Sequence, residues 1–536
     1  MSRNSFLKGA AILGMAGVVV KIMGAFYRIP LGNIIKSEGM GYYQTAYPLY
    51  VLLLTISTAG FPVAIAKLVS EKRALGDHMG AFRVFRVAFL GLLMAGVLTS
   101  IFVFINARDI VDRLGNSDAY YSLMALVPAL LFVPIMAAFR GYFQGRQTMT
   151  PTALSQIAEQ FVRVVSGLGL TYYLIDRGMP IAAGGASFGG SAGAMAGVVV
   201  IMGIYIHVRS EIHAELDGGL DHPEEGVAKI VRDLLAIAVP ITIGAAIVPV
   251  MNTIDTMLVL RRLQMIGFSK LQANDLYGQL TGFAQTLINL PQVFSMALAI
   301  SLVPAISGAN ARKDRREIKN ITSSGVRITL LIGLPSTLGL FILAEPIIRL
   351  LYFRNPAETI VSIGEILAIL SFGVVFLTLI QSLTAILQGL GKPTVPVFNL
   401  FIGAVFKVIL TYTLTGIKSI NVKGAAISTV IAYFIAAVLD LASIYKYTEL
   451  KFNIRETFIN PLLASSGMAL VAKIIYTGLA NIIGGRLSTV VAIIVAAIAY
   501  FMLLILTGSL TYDDFELLPR GKQISNKLVK LGLLKR

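Results

Sequence analysis

Apolar runs long enough to cross a bilayer follow one another along almost the whole of this 536-residue chain. A helix rises about 1.5 Å per residue and the hydrocarbon layer is about 30 Å thick, so about 20 apolar residues make a span. Fourteen runs meet that length, near 8–33, 41–70, 81–107, 118–143, 151–176, 184–208, 228–260, 275–308, 320–344, 357–388, 394–416, 423–446, 459–481 and 487–509. In lipid only helices and closed barrels satisfy their own backbone polar groups, and runs this long belong to helices. The expected fold is an all-α polytopic membrane protein with fourteen transmembrane helices.

Composition agrees: 56% of residues are hydrophobic and 14% charged, against about 25% charged in soluble domains. The formal net charge is +17. Nucleic acid is the usual partner of a basic chain, but here Lys and Arg sit in short loops between apolar runs, which suits an anionic membrane face. No nucleic-acid partner is expected. Cys is absent, which excludes a disulfide framework, a thiolate metal site and a Cys nucleophile. His207 and His213 lack the spacing of a zinc-binding helix, so no metal is expected. Trp is absent as well, leaving Tyr for the interfacial belt. The first apolar run continues past a signal-peptide core without a small-x-small site, so no cleavable leader is expected.

Alternating loops differ in charge. One set holds Lys72, Arg73, Arg83, Arg86, Arg140, Arg146, Arg312, Lys313, Arg315, Arg316, Lys319, Lys446, Lys451 and Arg455, and the opposite set holds fewer. The positive-inside rule then puts both termini in the cytoplasm. An internal repeat is visible too. Phe143-Gln144-Gly145, Pro151 and Arg163 are matched by Leu387-Gln388-Gly389, Pro396 and Lys407, and Pro62-Val63-Ala64-Ile65 echoes Val303-Pro304-Ala305-Ile306. The expected organisation is an N-lobe of six spans (1–208), a cytoplasmic inter-lobe linker (209–227) and a C-lobe of six spans (228–446). Two extra C-terminal helices (447–509) and a basic amphipathic tail (510–536) follow. The lobes form a parallel repeat about a pseudo-twofold axis.

No catalytic constellation stands out: the chain has neither a phosphate loop nor a His-Glu-x-x-His motif, and a non-enzyme is expected. The glycines from Gly184 to Gly197 recur on one helix face, as for close helix packing. The informative residues are charges inside apolar spans, where they are expensive and face a cavity or a partner. Lys21 lies mid-way along the first span, and Arg28 follows two turns later. Together they suit an anionic group such as a diphosphate; Arg28 could instead snorkel to headgroups. Glu159 and Arg163, four apart, can pair structurally or serve substrate or ion coupling. Lys407, equivalent to Arg163 but without a matching acid, is a cavity cation candidate for the diphosphate. Asp255 could pair with Arg261 or Arg262 or bind a coupling cation. Asn252, Gln285, Asn289 and Gln292 could hydrogen-bond sugar hydroxyls or join helices.

The stretch Lys21-Ile22-Met23-Gly24-Ala25-Phe26-Tyr27-Arg28-Ile29-Pro30, with Gly39-Met40-Gly41-Tyr42-Tyr43-Gln44, Ser155-Gln156-x-x-Glu159-Gln160-x-x-Arg163 and Ile254-Asp255-Thr256, carries a likeness. In this order across fourteen spans it resembles the MurJ-type lipid II flippases of the multidrug/oligosaccharidyl-lipid/polysaccharide (MOP) exporter superfamily, in the Gram-positive branch with YtgP and SpoVB. The resemblance covers essentially the whole chain. It implies two lobes around a cavity and alternating-access transfer of an undecaprenyl-diphosphate-linked saccharide from inner to outer leaflet. Lys21 and Arg28 match the positions whose cations bind the diphosphate. The chain departs from the well-studied members in the second and eighth spans. Their arginines there are replaced by Leu54 or Thr55, and by about Thr286.

The expectation is a flippase in a bacterial cytoplasmic membrane, functional as a monomer, moving first of all lipid II. No cofactor is expected, with coupling to membrane potential, H+ or Na+ left open. Other lipid-linked glycans (teichoic acid, capsule, spore cortex) and a cation-coupled drug exporter of the superfamily are the rival readings. A membrane-embedded polymerase would need acids in a large outer loop, and the loops here are short.

Overall fold

The structure, a computed structural model, describes residues 3–217, 225–450 and 452–509. The proposed tail, 510–536, and part of the linker lie outside the described residues. Among these the chain is helical throughout, without a strand. The helices are α1 (Arg3–Thr58), α2 (Phe61–Ala74), α3 (His78–Leu114), α4 (Tyr120–Gly145), α5 (Thr150–Leu174), α6 (Met179–His207), α7 (Arg209–Asp217), α8 (Val227–Met265) and α9 (Lys270–Gly278). They continue as α10 (Gln285–Ile288), α11 (Gln292–Ala311), α12 (Arg315–Ile342), α13 (Ala344–Leu351), α14 (Ala357–Gly389), α15 (Thr394–Thr415), α16 (Lys423–Thr448), α17 (Asn460–Ile483) and α18 (Gly485–Leu506).

Helix starts follow local chemistry. Asp77 and Asp314 accept hydrogen bonds from the backbone N–H of Gly80 (2.7 Å) and Glu317 (2.9 Å), capping α3 and α12. Pro62, Pro151, Pro180 and Pro461 stand in the first turns of α2, α5, α6 and α17, where no backbone N–H is needed.

Twelve segments of the described residues are long and apolar enough to cross a membrane, which makes this a multi-pass membrane protein. The expected fourteen is not reached on that measure. The first two spans lie within one 63-residue stretch, Ile12–Ala74, divided by a kink at Lys36 (φ 53°). The fifth, α5, is not among the twelve; it carries Glu159 and Arg163 at its centre. The second span is itself interrupted at Gly60. A Cβ there would stand 2.1 Å from the carbonyl oxygen of Ala238, so α8 crosses against bare backbone. The eighth span is also not one helix: π-helical turns over Gln279–Ala284, α10 and a break at Asn289 to Pro291 separate α9 from α11.

Two compact units are present: Met1–Gln264 with Phe268–Gly278, and Met265–Gly267 with Gln279 onward. Packing thus assigns α8 and α9 to the first unit, whereas the sequence repeat divides the chain in the 209–227 linker. A buried polar network holds α9 there. Asn116 Nδ2 donates to Asn274 Oδ1 (2.7 Å) and to Thr45 Oγ1 (2.9 Å), and Asn274 Nδ2 donates to the carbonyl of Glu38 (2.8 Å). The core of the first unit gathers Phe85, Phe139, Tyr142 and Tyr205, with Phe85 and Tyr142 stacked at 4.5 Å. The second unit packs α11, α12, α14 and α16 around Leu302, Ile306, Leu383 and Ile386.

The linker helix α7 is docked on the first unit. Ile212 is fully buried in the core. Glu215 accepts from Arg73 (2.6 Å) and bidentately from Arg146 (3.0 and 3.1 Å). Glu225 pairs with Lys72 (3.0 Å) and Lys229 (2.8 Å). Burial pushes the Glu215 carboxyl up, but the hydrogen bonds and charges of Arg73 and Arg146 outweigh it and hold the carboxyl below its usual range. A carboxyl depressed in the folded state stabilises above its ordinary pKa, about 4.3, and that stability is lost as pH falls through the lower folded value. Amide exchange in Arg209–Asp217, taken relative to the intrinsic rate at each pH, should therefore rise on acidification through that lower value. In Glu215→Gln it should already be raised at neutral pH and respond less to acid. The same profile in both proteins would refute the latch.

Candidate functional site

A cavity of about 340 Å³ opens inside the first unit. Tyr47, Tyr50, Leu54, Thr55 and Thr58 line it from the second half of α1, Val133, Met136 and Arg140 from α4, and Glu159 and Arg163 from α5. Glycines place the α5 side chains there. On α6, a Cβ on Gly189 would stand 2.6 Å from the Arg163 carbonyl oxygen, one on Gly193 2.5 Å from that of Glu159, and one on Gly197 2.5 Å from Met136 Sδ. Only bare backbone lets α6 lie this close to α5, as the sequence spacing suggested. On another side of α5, Tyr27 of α1 reaches past Gly167 and donates to the Ala186 carbonyl (2.9 Å).

The cavity's charge is an ion triad. Arg140 Nη2 donates to Glu159 Oε2 (3.1 Å), and Arg163 Nη2 donates to Glu159 Oε1 (2.9 Å). Arg140 Nε also donates to Ser155 Oγ (3.0 Å), which itself donates to the Thr152 carbonyl (2.8 Å). All three charged side chains are largely buried. Two guanidinium groups against one carboxylate leave a surplus positive charge. Two buried polar atoms on cavity residues, Arg163 Nε and Tyr50 Oη, have no hydrogen-bond partner within the protein. Buried polar atoms normally have one. Tyr43, Tyr47 and Tyr50 form an aromatic row along α1, with centroids 5.6 and 5.9 Å apart. Aromatic walls with few placed polar groups are usual for a binding site.

The expected site residues separate. Glu159 and Arg163 pair as anticipated. Lys21 is exposed on α1, and Arg28 is half-buried. On α8, Asn252 is exposed and Asp255 half-buried, both in the first unit. Gln285 on α10, Asn289 at the break and Lys407 on α15 belong to the second unit, where Lys407 is buried. Arg140, counted among loop charges in the sequence, lies inside α4 and completes the triad. Its setting, Ala137-Ala138-Phe139-Arg140-Gly141-Tyr142-Phe143, is a charge within an apolar run, the same signal that singled out Lys21. Tyr50 carried no such signal. Asp440 in α16, which accepts from Asn399 Nδ2 (2.9 Å), also escaped the sequence reading.

Close glycine-mediated helix pairs and a cationic internal cavity make this a multi-pass membrane protein with a charged site inside its first unit. The chain belongs to the polysaccharide biosynthesis protein family, whose model matches residues 6–310. A MatE model matches residues 240–413. Among curated relatives, Stage V sporulation protein B of Bacillus subtilis is 29% identical over 465 residues, covering 85% of this chain and 86% of that protein. Lipid II flippase MurJ of Bacillus subtilis is 26% identical over 510 residues, covering 92% and 93%. Among solved structures, a lipid II flippase MurJ in an inward closed conformation matches with TM-score 0.68 at 15% identity, over 92% of this chain and 98% of that one.

Proposed function

We propose that this chain is a flippase for an undecaprenyl-diphosphate-linked saccharide, in the first place lipid II. It would move its cargo from the inner to the outer leaflet of a bacterial cytoplasmic membrane by alternating access, as a monomer with both termini cytoplasmic. The observation that carries the reading is the cationic cavity of the first unit. An exporter of cationic drugs would place surplus acids in such a cavity, whereas Arg140 and Arg163 outnumber Glu159. A surplus of guanidinium groups suits a phosphate-bearing head, because planar N–H donors match phosphate oxygens. Lys21 and Arg28 meet the diphosphate, with Lys407 a further cation of the second unit. Asn252, Asp255, Gln285 and Asn289 supply polar or ion-coupling groups. No bond of the cargo is made or broken, and the polyprenyl tail stays in lipid. The membrane potential can reset a charged carrier, at about 2.3 kcal/mol per charge per 100 mV.

Expression in a bacterium depleted of its own lipid II flippase tests this reading, with outward-facing lipid II labelled at the cell surface. Restored growth and labelling are expected. No rescue with the protein present in the membrane would overturn lipid II as cargo. Analysis of teichoic acid, capsule and spore cortex would then distinguish the other polyprenyl-linked glycans.

A further inference from the structure

The two units share a loop architecture but fill it differently. In the first unit the α2–α3 loop places Gly76 at φ 77° and bonds Asp77 N–H to the Lys72 carbonyl (3.0 Å) before Asp77 caps α3. In the second, the α11–α12 loop places Lys313 at φ 57° and bonds Asp314 N–H to the Ala309 carbonyl (3.0 Å) before Asp314 caps α12. The α4–α5 loop has Gln147 at φ 60° with Thr148 N–H on the Phe143 carbonyl (2.9 Å); the α14–α15 loop has Gly391 at φ 76° with Lys392 N–H on the Leu387 carbonyl (2.9 Å). These matches make Asn310 the counterpart of Arg73, and Leu390 that of Arg146.

In the first unit, Arg73 and Arg146 clasp the carboxylate of Glu215, delivered by α7 as the chain runs on from α6. In the second unit the chain leaves the helical path after α16 at Glu449 (φ 52°). A cavity of about 240 Å³ stands at the matching place, lined by residues that include Asn310, Lys313, Arg315, Leu390, Tyr447 and Thr448. Among the described residues its charged lining is a Lys and an Arg, and none is acidic. Lys313 holds a left-handed conformation where the first unit uses glycine, so a glycine there keeps the loop's backbone.

We propose that this cavity binds the phosphate of an anionic lipid headgroup, taking from the membrane the anion that the first unit takes from its own linker. The cavity sits at the ends of three long apolar helices, α11, α14 and α16. Tyr447, with Lys392 Nζ 5.6 Å from its ring centroid, is the aromatic and cationic pairing found at headgroup depth. Acyl chains remain in the bilayer, and Lys313 and Arg315 contact the phosphate. This site is independent of the transport reading.

The test measures lipid retention by native mass spectrometry of the full chain in detergent, with thermal unfolding in parallel. The probes are phosphatidylglycerol, phosphatidylcholine and inorganic phosphate. Phosphatidylglycerol should be retained and should raise the unfolding temperature; the other two should not. Lys313→Gly keeps the loop geometry seen at Gly76 and should weaken phosphatidylglycerol retention roughly fivefold, as should Arg315→Gln. Asn310→Glu should plug the cavity with a carboxylate, as Glu215 does, and suppress retention in a folded protein. Parental retention in Lys313→Gly and Arg315→Gln would overturn the proposal. So would equal retention of phosphatidylcholine, and an equal temperature shift from inorganic phosphate would assign the cavity to a free anion instead.

Discussion

Exchange of Arg28 or Lys21 for alanine should cut delivery of lipid-linked precursor to the outer leaflet severely while the protein still accumulates in the membrane. A charge-assisted hydrogen bond contributes about 1.5–3 kcal/mol, so losing one to a diphosphate reduces transport roughly tenfold to a hundredfold. In a strain depleted of its own flippase that loss reads as failure to grow, and surface labelling of the precursor gives the graded measure. Lys21 is exposed and Arg28 half-buried, so neither substitution empties a packed core. Full growth and labelling in both variants would remove these two cations from the mechanism and leave the α4–α5 triad as the remaining cationic anchor.

The second large effect is on stability. Glu159→Ala leaves Arg140 and Arg163 facing each other in a largely buried cavity, and removing one partner from such a cluster costs about 3–5 kcal/mol. Thermal unfolding in detergent should show a marked drop. Replacement of Arg140, Glu159 and Arg163 together by Met should recover much of it, because the uncompensated charge is gone. A Glu159→Ala protein as stable as its parent would mean that the arginines are compensated by water. In transport, the triple replacement should stay impaired although folded, which separates the cavity's charge from its packing.

Helix class and the Glu159–Arg163 pair were legible because each rests on local pattern. Apolar length marks a membrane helix without reference to neighbours, and Glu159 and Arg163 are one helical turn apart. What failed depends on partners distant in sequence. Gly60 interrupts the second span because α8 passes against it, some 180 residues later. Arg140 was mistaken for a loop charge because its partner lies on the next helix. The eighth span read as continuous because Gln279 to Pro291 is apolar enough to be helix, and nothing local announces the π turns. The α7 latch was invisible for the same reason: Arg73 ends α2, Arg146 follows α4 and Glu215 lies on α7, far apart in sequence.

The placement of α8 and α9 with the first unit bears on how such a chain can be divided. A duplication of six spans suggests cutting in the linker after α7, but that cut would strip the first half of the helix that meets Gly60 and of the Asn274 side chain that binds Asn116. A cut near Phe268 would still part Asn274 from Asn116. A division after Gly278 keeps Asn274 with Asn116 and, apart from Met265–Gly267, follows the boundary between the two units. Two co-expressed fragments divided at that point are the pair to reassemble.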